Sequence, residues 1–245
     1  MYLFQETTFD EIKDNYHRII LDSNVIRGTT DFNVLENIYD LEDLLYIEDE
    51  FNTEINLINN LFEIVNNTPH IKITKGVYTE CDKYLSKINK AIQIHKTTIK
   101  KKHKGDQYFE ELSLVQDYSK KYYRLLKKLS KRTNEVNPDL LKRIVKLSKD
   151  NHLKDKPEYI KVLNSKYNPS NKTPYDNTVD EELCAFGCEG CLNNYKVSII
   201  TNDFDIPKII KKIIDDKEIF QQQKVDLDIF KKNKDGSLIF FNYLK

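Results

Sequence analysis

Apolar and polar positions repeat along this chain with two different periods, and the changes of period predict its elements. Residues 9–16 have helical spacing and run into Ile19-Ile20-Leu21, an apolar stretch that predicts a buried strand ending at Asp22. Helical spacing returns over 33–66, with Leu35, Ile38, Leu41 and Leu45, then Ile55, Ile58, Phe62 and Val65, which predicts two helices. The cluster "NNTP" stops the second. A short β-like run follows at 70–74, and Gly76 opens a helix with the stripe Val77, Cys81, Tyr84, Ile88 and Ile92. Residues 96–161 read as helical and lysine-rich, with Asn137 and Pro138 as N-cap and first helical position. Two prolines with several Asn and Ser make 164–178 a loop. Thr178-Val-Asp-Glu181 matches a capping box that opens a helix to about Asn193. "KVSII" (196–200) predicts a strand, Pro207 to about Asp216 a helix, and "DIF" and "SLIFF" two runs around a turn at "NKDG". Strands alternating with helices predict an α/β fold with a parallel sheet.

The acids matter because of where they fall in that order. Asp22 follows the first apolar run, and Asp203 follows "KVSIITN" with Asp205 close behind. Glu80 lies early in the helix after the second run, and Asp180 lies inside the Thr178–Glu181 motif. Ligands of open α/β sheets bind outside the carboxyl ends of the strands, so four separate regions can converge on one rim. Each acid also has a purely structural use. Asp22 suits a helix cap, Glu80 a helix surface, Asp180 the helix dipole, and Asp203 and Asp205 a turn. Clustered carboxylates repel unless a cation joins them. Hard oxygen donors with no convergent His point to Mg²⁺ or Mn²⁺ rather than zinc. One or two such ions suit an in-line displacement at a phosphodiester.

Four stretches carry a family resemblance: "ILDSNVI" (20–26), "VYTECDKYL" (77–85), "VDEELCAF" (179–186) and "VSIITNDFDI" (197–206). They resemble the four acidic motifs of PIN domains, the PilT N-terminal family of metal-dependent ribonucleases, and the T-x-D-x-D ending of the last is the most specific. The resemblance covers roughly residues 16–82 and 176–240. It implies a PIN-like parallel sheet of about five strands flanked by helices, and an endoribonuclease that uses Mg²⁺ or Mn²⁺. Asp22, Glu80, Asp180 and Asp203 would be the catalytic, metal-binding acids and Asp205 an auxiliary ligand. Asn24 would support the first acid by hydrogen bonding, with Thr201 beside it. Similar proteins include toxins of toxin–antitoxin pairs and RNA-processing enzymes. The departure lies between Glu80 and Asp180, where about a hundred residues replace a shorter helical segment. This predicts a PIN-like domain from residues 1–82 and 162–245, with 83–161 inserted as a basic helical block.

Charge sharpens that division. The 245 residues sum to a formal net charge of zero, but 1–82 carry 5 basic against 17 acidic residues, 83–161 carry 22 against 9, and 162–245 carry 12 against 13. The +13 middle block would create a positive field suited to a polyanion such as RNA, or it would form a solvated surface facing the acidic first third. Within it "SKKYYRLLKKLSKR" (119–132) mixes Tyr122 and Tyr123 with Lys120, Lys121, Arg124, Lys127 and Lys128. Those cations suit phosphates. The aromatics suit either base stacking or, as the better expectation, the core, because Tyr122, Leu125, Leu126 and Leu129 share a face. No apolar run approaches the length that crosses a bilayer, and the first residues do not read as a secretory signal, so a cytoplasmic protein is expected. Oligomeric state and a protein inhibitor are left open by the residues.

Three other readings compete. "CAFGCEGC" (184–191) spells the C-x3-C-x2-C of radical SAM enzymes, but that family needs a large barrel after the motif and 54 residues follow Cys191. Cys184, Cys188 and Cys191 also share one helical face, which predicts small buried thiols, with Cys81 on a matching stripe as a conceivable fourth metal thiolate. A haloacid-dehalogenase-like phosphatase also begins with an Asp after its first strand, but needs a second Asp where this chain has Asn24. The last is a PIN-like RNA-binding protein that does not cleave, which would be expected to have lost part of its acidic set.

Overall fold

The computed structural model describes residues 6–27, 48–102, 106–152, 178–203, 205–220, 225–233 and 237–241. The helix expected over Leu35–Leu45, the loop of 164–177 and most of the "NKDG" turn lie outside them. The chain divides into two compact units, one of residues 1–25, 70–78 and 132–245, the other of 26–69 and 79–131.

The first unit is built on a mixed seven-stranded sheet: β1 (Glu6–Thr7), β2 (Arg18–Leu21), β3 (Ile71–Thr74), β4 (Thr133–Asn134), β5 (Val197–Ile200), β6 (Leu227–Lys232) and β7 (Leu238–Phe241), in the order β1-β7-β6-β5-β2-β3-β4. The pairings β2–β3, β3–β4, β2–β5 and β5–β6 are parallel, while β6–β7 and β7–β1 are antiparallel. The α/β class expected from the alternation is therefore present, but the sheet is mixed and has more strands than expected. A link as short as that from Lys232 to Leu238 can only fold the chain back antiparallel. β1 and β4, two residues each, are too short to leave a periodic signal, and β4 falls in a stretch expected to be wholly helical.

The middle strands are buried on both faces. Ile19, Ile20 and Leu21 in β2, and Ile199 and Ile200 in β5, are all 0 % exposed. That is why "RIIL" and "VSII" read as continuous apolar runs rather than alternating ones. At about 1.5–3 kcal/mol per buried aliphatic side chain, these runs hold the sheet centre rigid.

Helix α1 (Phe9–Ile12) is closed by a true capping box between Thr8 and Glu11. α2 (Ser23–Arg27) follows β2 directly. α3 (Glu48–Asn67) ends before Thr68-Pro69, and α4 (Lys75–Lys102) follows β3 without a loop, its first turn capped by Thr74 Oγ1 accepting from the Val77 N–H at 3.3 Å. α5 spans Asp106–Ser130 and α6 Pro138–His152. Asn137 caps α6 as expected, its Oδ1 accepting from the N–H groups of Asp139 and Leu140.

α7 (Val179–Leu192) packs on the sheet and against α6 and α8 (Asp205–Asp215), while α9 covers Lys217–Phe220. Nearly all of α7 is buried, including Glu181, Glu182, Cys184, Cys188 and Cys191. Gly187 lets it lie close to the strands, since a Cβ there would press on the side chains of Ile199 and Leu227. The capping box expected at Thr178 does not form: Thr178 makes no side-chain cap bond, and Glu181 accepts instead from Ser148 Oγ of α6 at 2.9 Å. α8 begins at Asp205, two residues before Pro207, which the free N–H positions of a first turn tolerate.

The second unit is helical, with α3 packed on α5. Tyr118 and Tyr122 of α5 stack at 6.0 Å, Tyr84 of α4 meets Tyr122 edge-on at 5.3 Å, and the Tyr118 and Tyr84 hydroxyls lie 3.3 Å apart. Tyr122 is thus core, as its shared face with the leucines predicted, whereas Tyr123 points out and is 56 % exposed.

Candidate active site

β2 sits between β3 and β5. From β2 the chain steps outward through β3 to β4 and then returns to the other side for β5 and β6. The carboxyl edge between β2 and β5 is therefore a topological switch point, the place where open α/β sheets bind ligands.

The register carries chemistry to that edge. Leu21 pairs with Ile200, so Asp22 and Thr201 emerge side by side. The Asp22 N–H donates to the Ile200 carbonyl at 3.0 Å, and the Thr201 N–H to the Phe230 carbonyl at 2.9 Å. Thr201 Oγ1 then donates to Asp22 Oδ2 at 2.7 Å, while the Ser23 N–H reaches Oδ1. Asp22 is only 3 % exposed and Thr201 is fully buried. A buried carboxylate with donors on both oxygens is held in one orientation.

Asp203 belongs to the same network. Its N–H donates to Thr201 Oγ1 at 2.9 Å, and its Oδ1 accepts from the Asp205 N–H at 2.8 Å, capping α8. The Asp205 carboxylate pairs with Lys208 at 2.8 Å. Asn24 Oδ1 accepts from the Asn202 N–H at 3.0 Å, and Asn202 Oδ1 from the Lys232 N–H at 3.1 Å. Thr201 thus donates a side-chain hydrogen bond to Asp22, and Asn24 fixes the loop that carries Asp203.

Asp180 is half-buried on the first turn of α7. One turn on, burial drives the Cys184 thiol well above its usual pKa, and the charges of Cys188, Asp180, Glu181 and Asp22 push it the same way. One thiol therefore feels both Asp180 and Asp22. It stays protonated and packs as a small apolar group. All four cysteines are buried, and none is in a disulfide.

Glu182 is the residue that sequence reasoning missed. It is 1 % exposed, and its Oε2 accepts from the Gly76 N–H at 2.9 Å, at the start of α4 and the carboxyl end of β3. A Cβ on Gly76 would run into that oxygen, so the close approach needs glycine. Burial pushes the Glu182 carboxyl up to about 7, against the opposing pull of the Gly76 and Lys75 N–H groups. The available signal was the acidic triplet Asp180-Glu181-Glu182 on a helix whose other faces are apolar.

Glu80 lies on α4 within the helical unit and is half-buried. Among the five expected RNA-binding cations of α5, Lys121 pairs with Asp117 at 2.9 Å and Lys128 donates to Asn66 Oδ1 at 2.8 Å. Lys120, Arg124 and Lys127 are exposed. Among the described residues no three His, Cys, Asp or Glu side chains stand close enough together to hold a metal ion. No helix among them is long and apolar enough to cross a membrane. In comparisons with known proteins, no family model, no curated relative and no solved structure matches this chain.

Proposed function

We propose that this chain is a PIN-like endoribonuclease that hydrolyses RNA phosphodiester bonds with Mg²⁺ or Mn²⁺ and works in the cytoplasm. The observation that carries the reading is Asp22, buried at the switch point and oriented by Thr201 on the adjacent strand, with Asp203 joined to the same hydroxyl. Asp180, half-buried on the first turn of α7, is part of the proposed set through the resemblance. The order of β2 to β6, joined by parallel pairings, supports a PIN-like sheet, to which β7 and β1 are an addition. Residues 1–82 and 162–245 would form the catalytic domain and 83–161 a basic insertion.

The donor chemistry fits a hard cation, because every candidate ligand at the rim is oxygen. Asp22 and Asp203, joined through the Thr201 hydroxyl, would hold it, while Asp180, Glu80 and the auxiliary Asp205 enter through the resemblance alone. Such an ion supplies, when bound, positive charge to the scissile phosphate and to an attacking water. The chain's own part is orientation. Thr201 and the Ser23 N–H fix the Asp22 carboxylate, the Thr201 hydroxyl and Asp205 N–H fix the Asp203 loop, and the apolar strands beneath keep the base of the site dry.

The test incubates the protein with structured and single-stranded RNA in Mg²⁺, Mn²⁺ or EDTA, beside Asp22→Asn and Asp203→Asn. Metal-dependent cleavage that disappears in both variants is expected; cleavage that survives EDTA or both substitutions overturns the mechanism. A second reading, a PIN-like RNA-binding protein that does not cut, draws on the basic block of 83–161, which would hold RNA whether or not it is cleaved. RNA bound but uncut under every metal would establish it.

A further inference from the structure

The outer face of α5 separates two roles that the sequence mixed. Tyr122 goes into the core with its stacking partner Tyr118, while Tyr123, the next residue, stands 56 % exposed. Three residues before Tyr123 is Lys120 and four after it is Lys127, so both flank its ring on the same side of the helix. Arg124 adjoins them, and Lys131 continues the line just past the helix end. Lys120, Arg124 and Lys127 make no ion pair among the described residues, whereas Lys121 and Lys128 on the flank are engaged by Asp117 and Asn66.

The same face bears no acid between Lys120 and Lys131, and Asp117 one turn earlier is paired. It therefore presents an aromatic ring framed by unengaged cations, over about three turns.

We infer that this face binds single-stranded RNA, with an unpaired base stacked on Tyr123 and the flanking phosphates on Lys120, Arg124 and Lys127. This extends the ribonuclease reading to the kind of strand recognised, and rests on that reading for the choice of RNA as the polyanion. A duplex keeps its bases in its own stack and offers only phosphates to such a face. A single strand offers a π-face to the ring as well as charge to the lysines. Lys121 and Lys128 are not part of the site.

The full chain contains no tryptophan, so Tyr123→Trp creates a unique fluorophore at the stacking position. A single-stranded 12-mer RNA is expected to quench its emission, a duplex of the same length to quench it much less, and heparin, an anion without bases, not at all. Tyr123→Ala is expected to bind the 12-mer about tenfold more weakly. Lys120→Gln with Arg124→Gln and Lys127→Gln should lower the slope of log affinity against log salt by about 2, while Lys121→Gln leaves it unchanged. No quenching by any RNA, or equal quenching by heparin, overturns the proposal; far-UV circular dichroism confirms that each variant is folded. The two readings fail separately. Quenching without cleavage under any metal leaves this face standing and removes the ribonuclease, and cleavage without quenching does the reverse.

Discussion

The carboxyl rim of the sheet unit and the outer face of α5 handle charge in opposite ways. At the rim, Asp22, Glu181 and Glu182 are at most 3 % exposed, and each accepts at least one hydrogen bond from a hydroxyl or a backbone N–H. On α5, Lys120, Arg124 and Lys127 sit in solvent with no ion pair among the described residues. A buried charge is costly unless its partners are in place, so the rim specifies geometry. An exposed charge is screened by salt and free to move, so α5 specifies a field and not a shape. One region suits positioned chemistry, the other suits holding a flexible polyanion.

That contrast can be broken from its base upward. Leu21→Ala removes a fully buried side chain directly below Asp22 and should cost about 2–5 kcal/mol in urea unfolding, whatever the RNA does. Glu182 gives a pH signature in metal-free protein kept in EDTA. Its folded pKa of about 7 lies above the ordinary 4.5, so the folded state binds the proton more tightly than the unfolded one. Its stabilising effect is full below pH 4.5 and is lost as pH rises through 7, on the order of 3 kcal/mol across that window. Glu182→Gln should flatten this part of the stability profile; an unchanged slope would show that another group carries it.

Thr201→Val keeps the shape but strips the hydroxyl that bridges Asp22 and Asp203. A loss of about 1–3 kcal/mol is expected, with cleavage reduced about 10–100-fold, as for groups that orient metal ligands. Equal cleavage by Thr201→Val and the native protein would detach the bridge from function. At the small end, Lys127→Gln should change stability by less than about 0.5 kcal/mol and show itself only in the salt dependence of RNA binding.

Much of the sheet unit was legible because its strands are buried on both faces. "RIIL" and "VSII" are apolar runs that only the centre of a covered sheet needs, and the acids that follow them are conspicuous. The flanking strands were not legible. β1 and β4 are two residues long and exist only because a neighbouring strand offers them a hydrogen-bonding edge. The Thr178–Glu181 motif misled for a related reason: local pattern favours a capping box, but Ser148 of a distant helix offers Glu181 a buried hydroxyl, and the tertiary bond won.

By itself the sequence determined the α/β alternation, the order of the acids, the basic middle block and the thiols sharing one face of a helix. These are properties of period, position and charge, which survive without knowing what packs where. Only the tertiary structure decided that Thr201 donates to Asp22 across the sheet, that Glu182 is buried against Gly76, and that of two adjacent tyrosines one is core and one is surface. Each of those depends on register across a sheet or on which side of a helix meets its neighbour. A shift of one residue along the strand or 100° around the helix reverses the answer.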